Sequence, residues 1–422
     1  MEIGVMDNLK IETNIPLQSV EQFWFSWKPC CHAILNLEGY INRNVLWNDA
    51  QVYDSRIKIY VIDEDKITII YHGYVSEAEV KNVGGTSRIN LKAMSASCLL
   101  DRKLKSCSFQ NTEKTYGEIV RENVQCDGGQ VIRNQKSDAR IEYPVIRYEE
   151  TTWQFANRMA GRLGNYIIPD VETGNPNLWF GMRMGRNVES LSETQCRIEI
   201  KKYDGGVRIC YKANGRSFYK IGDRMEYFGQ KVTIVEVEGC YKNGELVFSY
   251  TLEESGIQLP RLCEAVNSGG LGFWGEIKEV KGEMVKVALD IDRGEETGDY
   301  FYPWYPETGN GLYAMPEVGA RALLCFLSAG EQNGAVIHCV NKDLQKELSC
   351  KDRFLILKNG NKIDLTRKEI GFSRKDHELI LEDNVVAVST LQGLKITAEG
   401  KVHLKAKQIM INTPEELNLC QG

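Results

Sequence analysis

Three common catalytic signatures are missing from this chain of 422 residues: Gly-x-Ser-x-Gly, His-Glu-x-x-His and Gly-x-x-x-x-Gly-Lys. Their absence removes the usual marks of a nucleophile elbow, a zinc protease and a phosphate loop. His377-Glu378 lacks the second histidine that a zinc pair needs. The 13 cysteines form no Cys-x-x-Cys pair, and the five histidines do not cluster beside them. A zinc ion must gather about four ligands, so these cysteines read as reduced, small apolar residues. A basic excess is also lacking. The net charge of −6 argues against nucleic acid as a partner, because phosphate binding needs a positive field. No apolar run is long enough to cross a bilayer. Met1 to Asp7 shows no basic region followed by an apolar one, so the expectation is synthesis in the cytoplasm without a Sec-type signal.

What remains is an ordinary globular composition, 42% hydrophobic and 26% charged, over a length that predicts about two to four domains. Residues 1–260 read mainly as strands. Arg56 to Ile62 alternates, turns through Asp63 to Lys66 and returns as Ile67 to Tyr71. A second hairpin spans Cys196 to Tyr211 around Asp204-Gly205-Gly206, and a third turns at Asn243-Gly244. Two helices interrupt the strands. One covers roughly Lys114 to Asn123. In the other, Thr151 and Gln154 resemble a capping box, and Trp153, Ala156, Met159, Ala160 and Leu163 share a face. Gly164 follows where a left-handed cap would sit. The pattern predicts small β-barrels with a helical insertion.

Leu259-Pro260 and Asn267 to Gly270 read as linker and entry loop. Residues 261–341 then give strands at Phe273 to Val280, Met284 to Leu289, Ala322 to Leu327 and Ala335 to Val340. Short strands and polar loops over this length fit a five-stranded Greek-key barrel of the OB type.

Residues 342–422 are repetitive. Apolar pairs two residues apart recur at Leu355/Leu357, Ile363/Leu365, Ile370/Phe372, Leu379/Leu381, Val386/Val388, Leu394/Ile396, Val402/Leu404 and Ile409/Ile411, about every eight residues. Each pair puts two side chains on one face of a short strand. So thin a strip cannot bury that face alone. Three chains winding their strips together would form an apolar axis, with Ile380, Val388, Ile396 and Leu404 expected to line it.

Three weaker features read as structural. Glu149-Glu150 could serve glycoside hydrolysis but sit before a helix N-terminus, where carboxylates are favoured anyway. Asp290-x-Asp292 resembles a calcium loop but has Gly294 and Phe301 where an EF-hand needs ligands. The Tyr300 to Tyr305 aromatic cluster could stack bases or sugars, yet it carries no interleaved basic residues and reads as a loop packed on the barrel. No catalytic, cofactor or metal residues are assigned.

At this point a family resemblance appears. The segment from Phe273 to Val340 includes Gly275-Glu276-Ile277, Lys286-Val287, Trp304, Gly309 to Tyr313, and Met315-Pro316-Glu317-Val318-Gly319 before a strand ending Cys325-Phe326-Leu327. It resembles the OB domain of the hub-spike proteins of contractile injection systems: VgrG, the phage late control protein D group and contractile-phage tail spikes. Pro316, Glu317, Gly319, Phe326 and Leu327 carry that match. Trp153, Phe155, Arg158 and Gly164 resemble a hub-domain helix of the same family, and the C-terminal strip resembles its triple-stranded β-helix. The resemblance implies a non-enzymatic homotrimer whose paired barrels present pseudo-sixfold symmetry to a hexameric tube protein. It also implies baseplate proteins, effector cargo, a target membrane and a PAAR-like tip protein near Leu417 to Gly422 as partners. No space between Val340 and Phe354 admits an inserted hydrolase. A trimeric receptor-binding fibre or adhesin and a cell-wall hydrolase are the alternatives.

Overall fold

Alternating aromatic and polar residues make the first long strands what they are. In β3 (Leu17–Trp27), Phe23, Phe25 and Trp27 point inward at 0–2% exposure, while Trp24 between them faces out. The computed structural model describes all residues except 1, 6–7, 43–54, 65, 134–138, 204–205, 255–268, 295–297, 307–313, 327, 329, 341–352, 358 and 419–422. The readings placed on Leu259-Pro260, Glu295, Glu296, Gly309 to Tyr313, Leu327 and the last four residues lie outside the described residues. The fold is mainly β, and it divides into two compact units, Met1–Lys342 and Asp343–Gly422.

The first unit begins with β1 (Glu2–Gly4), β2 (Leu9–Thr13), β3, β4 (Ile34–Ile41), β5 (Arg56–Asp63), β6 (Lys66–Val83) and β7 (Thr86–Ser95). After the helical insertion come β13 (Cys196–Tyr203), β14 (Gly206–Gly215), β15 (Arg224–Tyr227), β16 (Gln230–Lys242) and β17 (Glu245–Glu254). All three expected hairpins form, as β5–β6, β13–β14 and β16–β17. Asn243 (φ 53°) and Gly244 (φ 81°) adopt the two positive φ angles that a tight hairpin turn needs. The two halves expected as barrels are curled sheets sharing one hydrogen-bonded path, β1-β2-β5-β6-β7-β4-β3-β16-β17-β14-β13, with β15 on β16. Their joint is β3 against β16, where Gly239 lies opposite Phe25. A Cβ at Gly239 would come within 2.0 Å of the Phe25 ring, so only glycine lets that ring lie across the joint. Phe25 then contacts Tyr71 (6.3 Å) in one half and Phe248 (6.2 Å) in the other.

The insertion comprises β8 (Lys105–Phe109), α1 (Tyr116–Cys126), β9 (Val131–Arg133), β10 (Val145–Glu150), α2 (Thr152–Arg162), β11 (Ile167–Pro169) and β12 (Leu178–Phe180). Both helices start with complete capping boxes, Thr115/Glu118 and Thr151/Gln154. The second ends in a Schellman motif: Asn165 N–H donates to Ala160 O, Gly164 N–H to Gly161 O, and Gly164 is left-handed at φ 61°. Trp153, Phe155, Ala156, Met159 and Ala160 pack with Ile119, Val120 and Val124 of α1.

Five further strands complete this unit: β18 (Gly272–Lys281), β19 (Met284–Leu289), β20 (Phe301–Pro303), β21 (Arg321–Phe326) and β22 (Gly334–Val340). Their order is β20-β19-β18-β21-β22, and a parallel bridge from Trp304 to Val336 joins the two outer strands. Tyr305 N–H donates to Val336 O there at 2.9 Å. β20 corrects the reading of the aromatic cluster as loop. Its central Tyr302 is 1% exposed and belongs to the core with Phe273, Ile277, Leu324 and Phe326.

The second unit is an antiparallel meander in chain order: β23 (Arg353–Ile356), β24 (Lys362–Leu365), β25 (Glu369–Arg374), β26 (His377–Glu382) and β27 (Val386–Thr390). Leu355 pairs with Ile363, Ile363 with Phe372, Phe372 with Leu379, and Leu379 with Val388. Cross-strand partners share a face, so these and Leu365, Ile370, Leu381 and Val386 form one apolar side. Ile380 pairs with Gly371 and Ala387 and therefore lies on the opposite side from Val388. Within this meander the two therefore do not share a face: the turns between strands set the register. Ile396 and Leu404 follow β27 outside any strand and are 69% and 75% exposed.

Candidate functional site

Two places in the molecule concentrate chemistry. The first joins the helical insertion to the five-stranded barrel. Arg158 and Arg162, four residues apart, project from one face of α2. Glu331 reaches them from the 3-10 turn before β22. The Arg158 guanidinium grips Glu150 with two hydrogen bonds, Nε to Oε1 at 2.8 Å and Nη2 to Oε2 at 2.6 Å. Its Nη1 meets Glu331 Oε1 at 3.2 Å, and Arg162 pairs closely with the other oxygen. Ile146 completes the set: its N–H donates to Glu331 at 2.9 Å and its carbonyl accepts from Arg158 at 2.8 Å. Arg158 and Glu331 are each 4% exposed. Burial disfavours the Arg158 charge, but the Glu150 and Glu331 carboxylates outweigh it and raise its pKa above the ordinary value. Beneath lies Arg147, wholly buried, donating to Glu150 O, Asn123 Oδ1 and Thr152 Oγ1. A second tie is Asp292, whose carboxylate accepts from Ser108 N–H and Oγ. Ile146 itself is buried in the barrel core.

Such an arrangement fixes the helical insertion and the five-stranded sheet in one orientation. Glu150 is held by Arg158, and Asp290 is held by Arg321 at 2.6 and 3.1 Å. Glu149 adopts φ 48° at an exposed position of β10, where the register with β8 shifts. Among the described residues no group of three or more His, Cys, Asp or Glu could hold a metal ion.

The other residues singled out in sequence fall apart in space. Trp153 stacks against His32 with ring centroids 4.3 Å apart, and Phe155 packs on Phe109 at 5.4 Å. Pro316 is buried, Glu317 is exposed, and Phe326 is 1% exposed in the barrel core. Gly319 has φ 90° with open space where a Cβ would be, so the left-handed backbone, not close approach, requires glycine. Nothing in the sequence alone marks Glu331 or Ser108 as partners at this joint. The four-residue spacing of Arg158 and Arg162 was the one signal available.

The second place is the apolar face of the C-terminal meander. Leu355, Leu365, Ile370, Phe372, Val386 and Val388 are 40–65% exposed there. Its reverse mixes Lys362, Asp364, Ser373, Glu378 and Ser389 with Phe354, Ile356 and Ile380. No apolar side chain of the unit is buried among the described residues.

No protein-family model and no curated relative matches the sequence. Solved structures do. One is an E. coli protein described as a component of the type VI secretion system, with structural similarity to the T4 bacteriophage tail proteins gp27 and gp5. It superposes with TM-score 0.59 at 14% identity, over 79% of this chain and 99% of that one. The Francisella PdpA–VgrG complex, half-lidded, gives 0.58 at 10% identity over 91% and 88%. At these identities the likeness is one of fold. The chain has the mainly β fold of VgrG-like secretion proteins and phage tail hubs.

Proposed function

We propose that this chain is the structural hub-spike protein at the tip of a contractile injection tube, acting as a homotrimer. One observation carries the reading: a tail-hub fold is followed by a meander with a largely apolar face that none of the described residues of its own unit covers. Fully burying an aliphatic side chain contributes about 1.5–3 kcal/mol. Three copies closing those faces around one axis would remove both the exposed face and the free strand edges. The barrel is read as an OB-type collar; its strand order and the parallel Trp304–Val336 closure support this. The buried Arg158–Glu331 joint would pass compressive load from hub to collar without a hinge. The paired curled sheets would face a hexameric tube protein and baseplate neighbours, and the spike would carry a separate tip protein through a target membrane. The role is mechanical, not enzymatic. A fibre or adhesin would need no such hub.

Light scattering on the purified chain at micromolar concentration tests this. A trimer is expected; a monomer or dimer in native buffer would sink the reading.

A further inference from the structure

The two halves of the curled sheet also meet away from the β3–β16 joint, around a cavity of about 530 Å³ that the mechanical role leaves unused. Leu9 of β2 and Val61 of β5 come from one half; Phe218, Leu246 and Phe248 come from the other. β5 and β17 stand far apart along the hydrogen-bonded path, so the curl of the sheet is what brings them to one cavity. Leu9 and Phe248 are 1% exposed, and Val61, Phe218 and Leu246 pack half-buried against the same core. The Phe218 and Phe248 ring centroids lie 5.2 Å apart. The core therefore reaches the surface here as an apolar floor. The volume lies within the roughly 300–1,000 Å³ of small-ligand sites, which combine such a floor with a few polar groups.

Charged residues also line the cavity, and their pairing selects the ligand. Arg216 meets Glu245 at 3.2 Å. Arg186 and Asp63 form no ion pair among the described residues, so one cation and one anion are left over beside the apolar floor. The Arg186 backbone is anchored: its N–H donates to Asp223 Oδ1 at 3.1 Å and its carbonyl accepts from Arg224 N–H at 2.9 Å. Asp63 ends β5, in the other half. Two arginines balanced by two carboxylates make no basic groove, which disfavours a phosphate chain. A fatty acid would satisfy Arg186 but lay its chain beside the Asp63 charge, stripping that charge of water with nothing in return. A zwitterion with an apolar body meets the floor and both charges at once. We infer that this cavity binds an uncapped apolar amino acid or short peptide, with its carboxylate on Arg186, its ammonium on Asp63 and its side chain on Phe218 and Leu246. Because the two charges come from different halves, the ligand ties the halves together here as the β3–β16 ladder does at the joint.

Calorimetry on the full chain decides it, with phenylalanine, leucine and leucyl-phenylalanine set against N-acetylphenylalanine and phenylalanine amide. At least one uncapped compound should bind and raise the melting temperature as its concentration rises. Either cap should weaken binding about tenfold. Arg186→Gln and Asp63→Asn should each do the same; both residues are exposed, so the ligand-free melting temperature and the trimer mass should not move. Tighter binding of the dipeptide supports a peptide occupant, and tighter binding of an amino acid supports a free one. No binding of any uncapped compound at millimolar concentration overturns the inference and leaves the hub-spike reading, judged by light scattering, untouched. Capped and uncapped compounds binding alike overturns the ligand class. Binding unaffected by both variants overturns the location.

Discussion

Phe25 and Phe372 stand on strands with the same inward–outward alternation, yet one is 0% exposed and the other 44%. In the first unit, the faces of β3 and its neighbours close over each other, and Phe25 touches both halves of the sheet. In the second unit the apolar face is just as regular and stays exposed among the described residues of its own unit. Alternation specifies a strand and its face; what covers that face depends on how much chain is at hand. The first unit supplies its own cover, and the second is a surface in search of one.

The largest effect should come from placing charge on the uncovered face. In a trimer Val388→Asp is made three times at one level. Each buried, unpaired carboxylate costs several kcal/mol even after relaxation, and the three repel one another. The spike should fray, with limited proteolysis removing the Asp343–Gly422 unit while the first unit survives. Unchanged protease resistance would mean that the two units do not differ in the way proposed.

Next in size is the joint within the first unit. Arg158→Ala leaves Glu150 and Glu331 buried with less compensation, and breaking such a pair costs about 3–5 kcal/mol. Urea denaturation should show the loss in the first unit, with light scattering still reporting a trimer. A variant as stable as the parent would show that the network is not what holds barrel to insertion.

What could be foreseen followed the range of each interaction. Asn243-Gly244, the Thr151/Gln154 box and the Gly164 cap are set by residues within a few positions of each other, so the sequence displays them. Arg158 and Glu331 meet across 173 positions, and only folding brings them together. β20 carries no legible strand signal because it is three residues long and ends in a proline. The meander shows the same limit in another form. Its strands were visible as pairs, but a count in steps of eight carries Ile380 to Val388 regardless of the turn between them. The turn instead brings Leu379 opposite Val388.

A smaller, pH-dependent effect belongs to the covered unit. His32 donates to or accepts from Ser97 Oγ at 2.8 Å and Asp101 at 3.3 Å, and stacks on Trp153. Burial lowers its pKa below 6.5 and outweighs the pull of Asp101. The unfolded chain therefore takes up this proton first. Stability should fall as pH drops through 6.5 and level off once the folded histidine is protonated. Urea midpoints measured across that range should show the slope, and His32→Gln should flatten it; equal slopes in both proteins would remove His32 from the account.

The smallest effect is the most discriminating. Ile380 lies on the side of the meander shared with Gly371 and Ala387, away from the apolar face. If the assembled spike keeps this register, Ile380→Asp points its charge outward and costs no more than about 0.5 kcal/mol, as for other surface changes. Lys395→Asp, beside exposed Ile396, serves as a second outward control. Both should resist protease like the parent, whereas Val388→Asp is cut. The opposite result is equally informative. Were Ile380→Asp to fray the spike as Val388→Asp does, the two would face one axis after all. The strands would then change partners on assembly, exchanging the antiparallel pairing within one chain for a winding between three chains in which every eighth residue returns to the same face.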